Sequence, residues 1–227
     1  MLKTTFILLA LQILVFLPSI CQESLFSLMI NTGTSWTFAY LAPWFFTFFI
    51  AVLISRLVFQ NLTGFKRTIF AIFALLIPVV TYFGINPIYE GDFIKKGRST
   101  EFTKNQILND ILSEDPNFDG LVCVASPNCP HCVEAVKTKM APMHKRNQSK
   151  VFIYLAFGDQ STVENFKKQS ESGQTPLIVN SDIYGALDID ETVIPVFLYI
   201  KNGQIVHLWR NDQMGYPALD WIESKLN

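Results

Sequence analysis

Leu121-Val122-Cys123-Val124-Ala125-Ser126-Pro127-Asn128-Cys129-Pro130-His131-Cys132 is the stretch on which the reading of this chain turns. Its first five residues form a continuous apolar run, the pattern of a strand covered on both faces. Ser126, Pro127 and Asn128 interrupt the run. From Pro130 the spacing becomes helical, with Cys132, Val133, Val136, Met140 and Met143 on one stripe and Lys137, Lys139 and Lys145 largely off it. Proline suits a first helical turn, and Pro142 is expected to kink the helix near its end. Cys129 and Cys132 are therefore two thiols one turn apart at a helix mouth. They can close a disulfide with little backbone movement, and the unpaired amides of the first turn favour a thiolate at Cys129.

Around this stretch the chain changes character. Residues 1–89 carry five of the 37 charged side chains (Lys3, Glu23, Arg56, Lys66 and Arg67), so the front is lipid-like and the rear water-like. The net charge of −1 supplies no basic field, which sets nucleic acid aside as a partner. Residues 1–21 read as a signal peptide or a first transmembrane helix, with Phe6 to Ile20 as its apolar part. Residues 22–89 read as a membrane region with two transmembrane helices, at about 37–55 and 68–88, each near the roughly 20 residues that cross a bilayer. Trp36, Tyr40, Trp44, Tyr82 and Tyr89 fall near the ends of these spans, as expected at the headgroup level. Arg56, Lys66 and Arg67 lie between the spans, which puts that loop in the cytoplasm and the C-terminal part outside it. No cysteine, histidine or carboxylate occurs from Thr37 to Ile88, so the spans are read as an anchor and not as an electron or proton path.

Residues 90–102 read as a linker, and Thr103 to Glu114 as an amphipathic helix. After the dithiol helix come a strand over Val151–Phe157, a polar helix over Ser161–Ser172, a short edge strand over Thr175–Asn180 and a helical turn around Tyr184–Leu187. Then Ile194-Pro195 opens an apolar run, Val196 to Ile200. Asn202-Gly203 separates that run from Ile205 to Trp209, a strong hairpin signal. A helix over Pro217–Leu226 closes the chain.

This order resembles the thioredoxin superfamily over residues 103–227, on two separated features: the dithiol, and Ile194-Pro195 ahead of a hairpin. The resemblance implies an α/β fold with a central mixed sheet flanked by helices, here preceded by hydrophobic transmembrane helices. It implies that Cys129 is the nucleophile, that Cys132 is the resolving thiol, and that Ile194 and a cis Pro195 contact substrate. His131, protonated or donating a hydrogen bond, is expected to stabilise the thiolate. Pro130-His131 matches the pair in disulfide-introducing oxidases of the bacterial periplasm, which favours oxidant or isomerase behaviour over strong reduction. Many family members place a buried acid six residues before the first active cysteine; here Cys123 stands there. It is read as a small buried hydrophobe, with a third redox thiol as the alternative.

The expectation is a membrane-anchored thiol-disulfide oxidoreductase in the cytoplasmic membrane with an extracytoplasmic catalytic domain. Its partners would be protein thiols or disulfides, a membrane redox partner and the lipid bilayer. A reductase of the cytochrome c maturation type and a non-catalytic interaction module are the alternatives. No cofactor is implied. Zinc at Cys129 and Cys132 would need two more ligands, and His131, His144 and His207 form no second pair.

Overall fold

The structure, a computed structural model, describes residues 21–61, 63–85, 93, 118–147, 150–178 and 194–226. The expected signal segment, the linker apart from Phe93, the helix over 103–114 and the turn around 184–187 lie outside the described residues, as do the last three residues of the expected 68–88 span. The chain divides into two compact units, Met1–Tyr89 and Glu90–Asn227.

In the first unit, α1 (Gln22–Asn31), α2 (Trp36–Asn61) and α3 (Phe65–Ile85) follow one another. α2 and α3 are long and apolar enough to cross a membrane. Each overruns the N-terminal edge read from sequence, and each continues through its internal proline, Pro43 or Pro78. Ile54, Ala71 and Ala74 form a small contact between them, with Ile50 against it. The Ser55 hydroxyl donates to the Ala71 carbonyl at 2.8 Å, which satisfies a polar group inside an apolar surface. Of the aromatic residues expected near the headgroups, Trp36, Tyr40 and Tyr82 turn inward. Trp36 and Tyr82 are buried, and Tyr82 meets Trp44 edge-on at 4.6 Å. α1 joins them where the Tyr82 hydroxyl donates to Gln22 Oε1 at 3.2 Å. The remaining surface of α2 and α3 is strongly apolar, with Phe45, Phe49, Phe70, Phe73 and Val80 all exposed.

The second unit is built on a five-stranded mixed sheet. β1 (Gly120–Ala125), β2 (Val151–Leu155), β3 (Leu177–Ile178), β4 (Val196–Lys201) and β5 (Gln204–Arg210) lie in the order β3-β2-β1-β4-β5. β1 runs parallel to β2 and antiparallel to β4, so it occupies the centre, and all six of its residues are buried. This is why its sequence lacks polar alternation. β3 is the short edge strand expected from Thr175–Asn180, reduced to two paired residues. β4 and β5 turn at Asn202 and Gly203, both at positive φ, as a two-residue hairpin requires. A register shift at Tyr199/Ile200 accommodates one extra residue on β5.

The two sheet faces divide by alternation. Val122, Val124, Tyr154, Val196, Leu198 and Leu208 belong to one apolar cluster. The opposite face carries Cys123 with its register partners Ile153 and Phe197. The helix after β1 comprises α4 (Pro130–Ala135), a π-turn (Val136–Met140) and α5 (Ala141–Arg146). The kink expected from Pro142 takes the form of this wide turn. A proline ring clashes with the carbonyl four residues back, and a π-turn moves that carbonyl aside. α6 (Gln160–Ser170) is capped by Asp159, whose carboxylate accepts from the Thr162 amide at 2.8 Å. α7 (Tyr216–Leu226) packs Trp221 edge-on against Tyr199 at 5.4 Å, and Arg146 of α5 pairs with its Glu223 at 2.6 Å. Mixed sheet and flanking helices fit a thioredoxin-like α/β fold.

Gly120 opens β1 in a space too small for a side chain. A Cβ there would stand 2.5 Å from the Lys150 carbonyl oxygen and 2.3 Å from Phe118 Cζ. Gly120→Ala is expected to cost about 1–3 kcal/mol, typical of overpacking, read as a lower denaturation midpoint of the second unit. An unchanged midpoint would contradict this packing.

Candidate functional site: the Cys129–Cys132 dithiol

β1 ends at Ala125, and the turn through Ser126, Pro127 and Asn128 brings Cys129 to the N-cap of α4. Cys129 has extended backbone angles, φ −98° and ψ 110°, as a capping residue does, and its amide donates back to the Ser126 carbonyl at 3.3 Å. Its Sγ accepts the backbone N–H of Cys132 at 3.1 Å. A sulfur thus takes the place usually held by a capping oxygen, and negative charge on it is met by the amide end of the helix.

The two thiols differ in environment. Cys129 is partly exposed, whereas Cys132 is fully buried. Burial pushes the Cys132 thiol up, and its hydrogen bond to the Cys129 sulfur adds to this, partly opposed by the Ser126 backbone amide. Both cysteines are unpaired, so this is the reduced arrangement. An accessible outer sulfur and a buried inner one suit attack by the first and later resolution by the second.

The expected tuning residues stand at the rim. Pro130 occupies the first helical turn and is exposed, as is His131. His131 makes no hydrogen bond to the sulfur; the donor present is the Cys132 amide. Ile194-Pro195 is a cis peptide bond. The β1–β4 pairing ends at Val124↔Val196, so Ile194-Pro195 leads directly into the residue paired nearest the C-terminal end of β1. Pro195 is buried and Ile194 half-buried. The structure thus gathers the sequence-predicted residues at the C-terminal end of β1.

Cys123 lies on the same strand, fully buried between Ile153 and Phe197. Burial pushes its thiol up, partly opposed by the Lys139 ammonium. The helical spacing places Lys139 largely off the apolar stripe. The π-turn instead carries it inward: its Nζ donates to the Met214 carbonyl at 3.0 Å and lies 5.7 Å from the Phe197 ring centroid. Pro142, three residues later, was the sequence signal for this irregular winding. Among the described residues, no group of three or more His, Cys, Asp or Glu is placed to hold a metal ion.

No family model and no curated protein matches the chain. Among solved structures, one match is the 1.1 Å crystal structure of a secreted Mycobacterium tuberculosis disulfide oxidoreductase homologous to E. coli DsbE. It is 13% identical, covers 48% of this chain and 81% of its own, and superposes with a TM-score of 0.38.

These environments predict that iodoacetamide at neutral pH modifies Cys129 in the native reduced protein and spares Cys123 and Cys132, as peptide mass mapping would show. Cys123→Ala should lower stability by about 1 kcal/mol, as loss of a small buried group does, and leave Cys129 alkylation unchanged. Modification of Cys132 at a rate matching that of Cys129 would contradict the assigned burial.

Proposed function

We propose that this chain is a membrane-anchored thiol-disulfide oxidoreductase whose catalytic unit, residues 90–227, acts on protein substrates outside the cytoplasmic membrane. The observation that carries the reading is the capping sulfur: Cys129 Sγ held at 3.1 Å from the Cys132 amide, with the Cys132 thiol buried one turn behind it. The position of Ile194-Pro195 beside the same strand end, where the family resemblance implies a substrate contact, adds to it.

In the oxidising direction the enzyme begins as the Cys129–Cys132 disulfide. A client thiolate attacks Cys129 Sγ, the internal S–S bond breaks, and Cys132 leaves as a thiolate that takes up a proton. A second client thiolate then attacks the client sulfur of the mixed disulfide and expels Cys129. The client loses two electrons and two protons and gains a disulfide; the enzyme is left as the dithiol, the state seen here. The helix-mouth amide stabilises the leaving Cys129 thiolate and so favours this direction. Another turnover needs an electron acceptor, and a membrane redox partner is the proposed one.

α2 and α3 support anchoring, since both have the length and apolar surface to cross a bilayer. Arg56, toward the end of α2, and Lys66 and Arg67, at the start of α3, favour a cytoplasmic connection between the spans and an outer catalytic unit.

Cys129→Ser is expected to abolish oxidation of a reduced client peptide. Given a client that carries a disulfide, Cys132→Ser is expected to accumulate mixed disulfides, as Cys129 displaces one client sulfur and no second enzyme thiol can release the other, visible as thiol-sensitive bands on a gel. Full turnover by the Cys129→Ser variant would overturn the reading, as would labelling of Cys129 in spheroplasts only after the membrane is permeabilised.

A further inference from the structure

Phe157 is held exposed beside the dithiol loop. Large apolar side chains are mostly covered in the described part of residues 90–227; Phe93, Phe157 and Leu177 are the exceptions, and Phe157 is 47% exposed. Leu177 belongs to the edge strand and shares its register position with Tyr154, on the face opposite Cys123. Phe157 instead follows Ala156, whose amide donates to the Ala125 carbonyl at 2.9 Å, one residue before the turn that leads to Cys129. The turn is therefore flanked by Ile194-Pro195 from the β4 side and by Ala156-Phe157 from the β2 side.

The backbone that presents Phe157 is fixed from both directions. Ala156 is tied to β1 on one side. On the other, Gly158 has φ +137° and packs so closely on Thr162 that a Cβ would meet its Cγ2 at 2.8 Å. Asp159 then accepts from the Thr162 amide at 2.8 Å, the Thr162 hydroxyl at 2.7 Å and the Ser161 hydroxyl at 2.8 Å. A phenyl group is thus kept in water on a built turn, where a polar residue would incur no cost of exposure.

We propose that Phe157 is a specificity-determining contact that seats a bulky apolar side chain of an extended client polypeptide. This rests on the oxidoreductase reading and names its substrate class: unfolded segments with an apolar residue near the cysteine, in preference to small thiols. Crossing from β4 to β2 spans two interstrand steps, roughly 10 Å, or about three residues of extended chain. The favoured residue therefore lies roughly two or three positions from the client cysteine that attacks Cys129.

The test uses the full-length protein in detergent micelles, in its disulfide form, with three reductants. Two are cysteine-pair peptides that differ only in Leu or Ser two positions from the first cysteine, and the third is dithiothreitol, which has no side chain to seat. The wild type is expected to prefer the Leu peptide, and Phe157→Ser to lower the ratio of Leu-peptide to dithiothreitol rates roughly five-fold, as loss of half a buried phenyl contact would. Phe157→Leu should restore most of that ratio. No preference in the wild type, or an unchanged ratio in Phe157→Ser, overturns the proposal while leaving the dithiol chemistry standing. Failure of the wild type to oxidise even dithiothreitol would instead remove the reading on which it rests.

Discussion

The contact between the Cys132 amide and the Cys129 sulfur is the constraint to which the rest of the second unit answers. It forms because β1 is paired on both edges and buried along its whole length, which fixes the point where the chain leaves the sheet. The short Ser126–Asn128 turn then has little freedom, and the next residue falls at the cap of α4. A sulfur at a helix mouth is held by backbone geometry, which is set by hydrogen bonding, and not by a neighbouring side chain that could rotate away. The exposed position of His131 fits this division: the amide orients, and the histidine remains free to respond to solvent.

Burial supplies the second half of the chemistry. Cys132 is three residues from Cys129 yet has no contact with water, because the first helical turn rotates it onto the sheet. Where an acid might have stood behind it, Cys123 packs between Ile153 and Phe197, and burial holds both inner thiols above their ordinary range. The charge felt at Cys123 is the Lys139 ammonium, which partly opposes the effect of burial there.

Much of this was legible in the chain because local rules governed it. The apolar run before the dithiol gave β1, the thiol spacing gave the helix mouth, and Asn202-Gly203 gave the hairpin at the positions where both residues adopt positive φ. Ile194-Pro195 was legible only through the family resemblance, since most bonds before proline are trans. Other features depend on distant partners and left no local trace. α1 went unread because the segment Gln22–Asn31 is short and only weakly patterned, and it meets the rest through the Gln22 contact with Tyr82, sixty residues away. The inward turn of Trp36 and Tyr82 is set by packing between helices, which composition at a span end does not reveal. Phe157 was read as the last residue of a strand; its exposure follows from the ladder ending at Ala156, which still bonds to Ala125, and from Gly158 turning the backbone.

The wide turn at Val136–Met140 has a further consequence. A π-turn holds roughly one residue more than an α-turn, so it works as a phase joint: the two cysteines sit ahead of it, and Met143, Arg146 and the contacts with α7 sit behind. Slack of this kind lets the rear of the helix be lengthened, shortened or rotated by about one position without disturbing the winding of the front. Variation in chain length could then accumulate in the back half of this element while the dithiol tip keeps its shape.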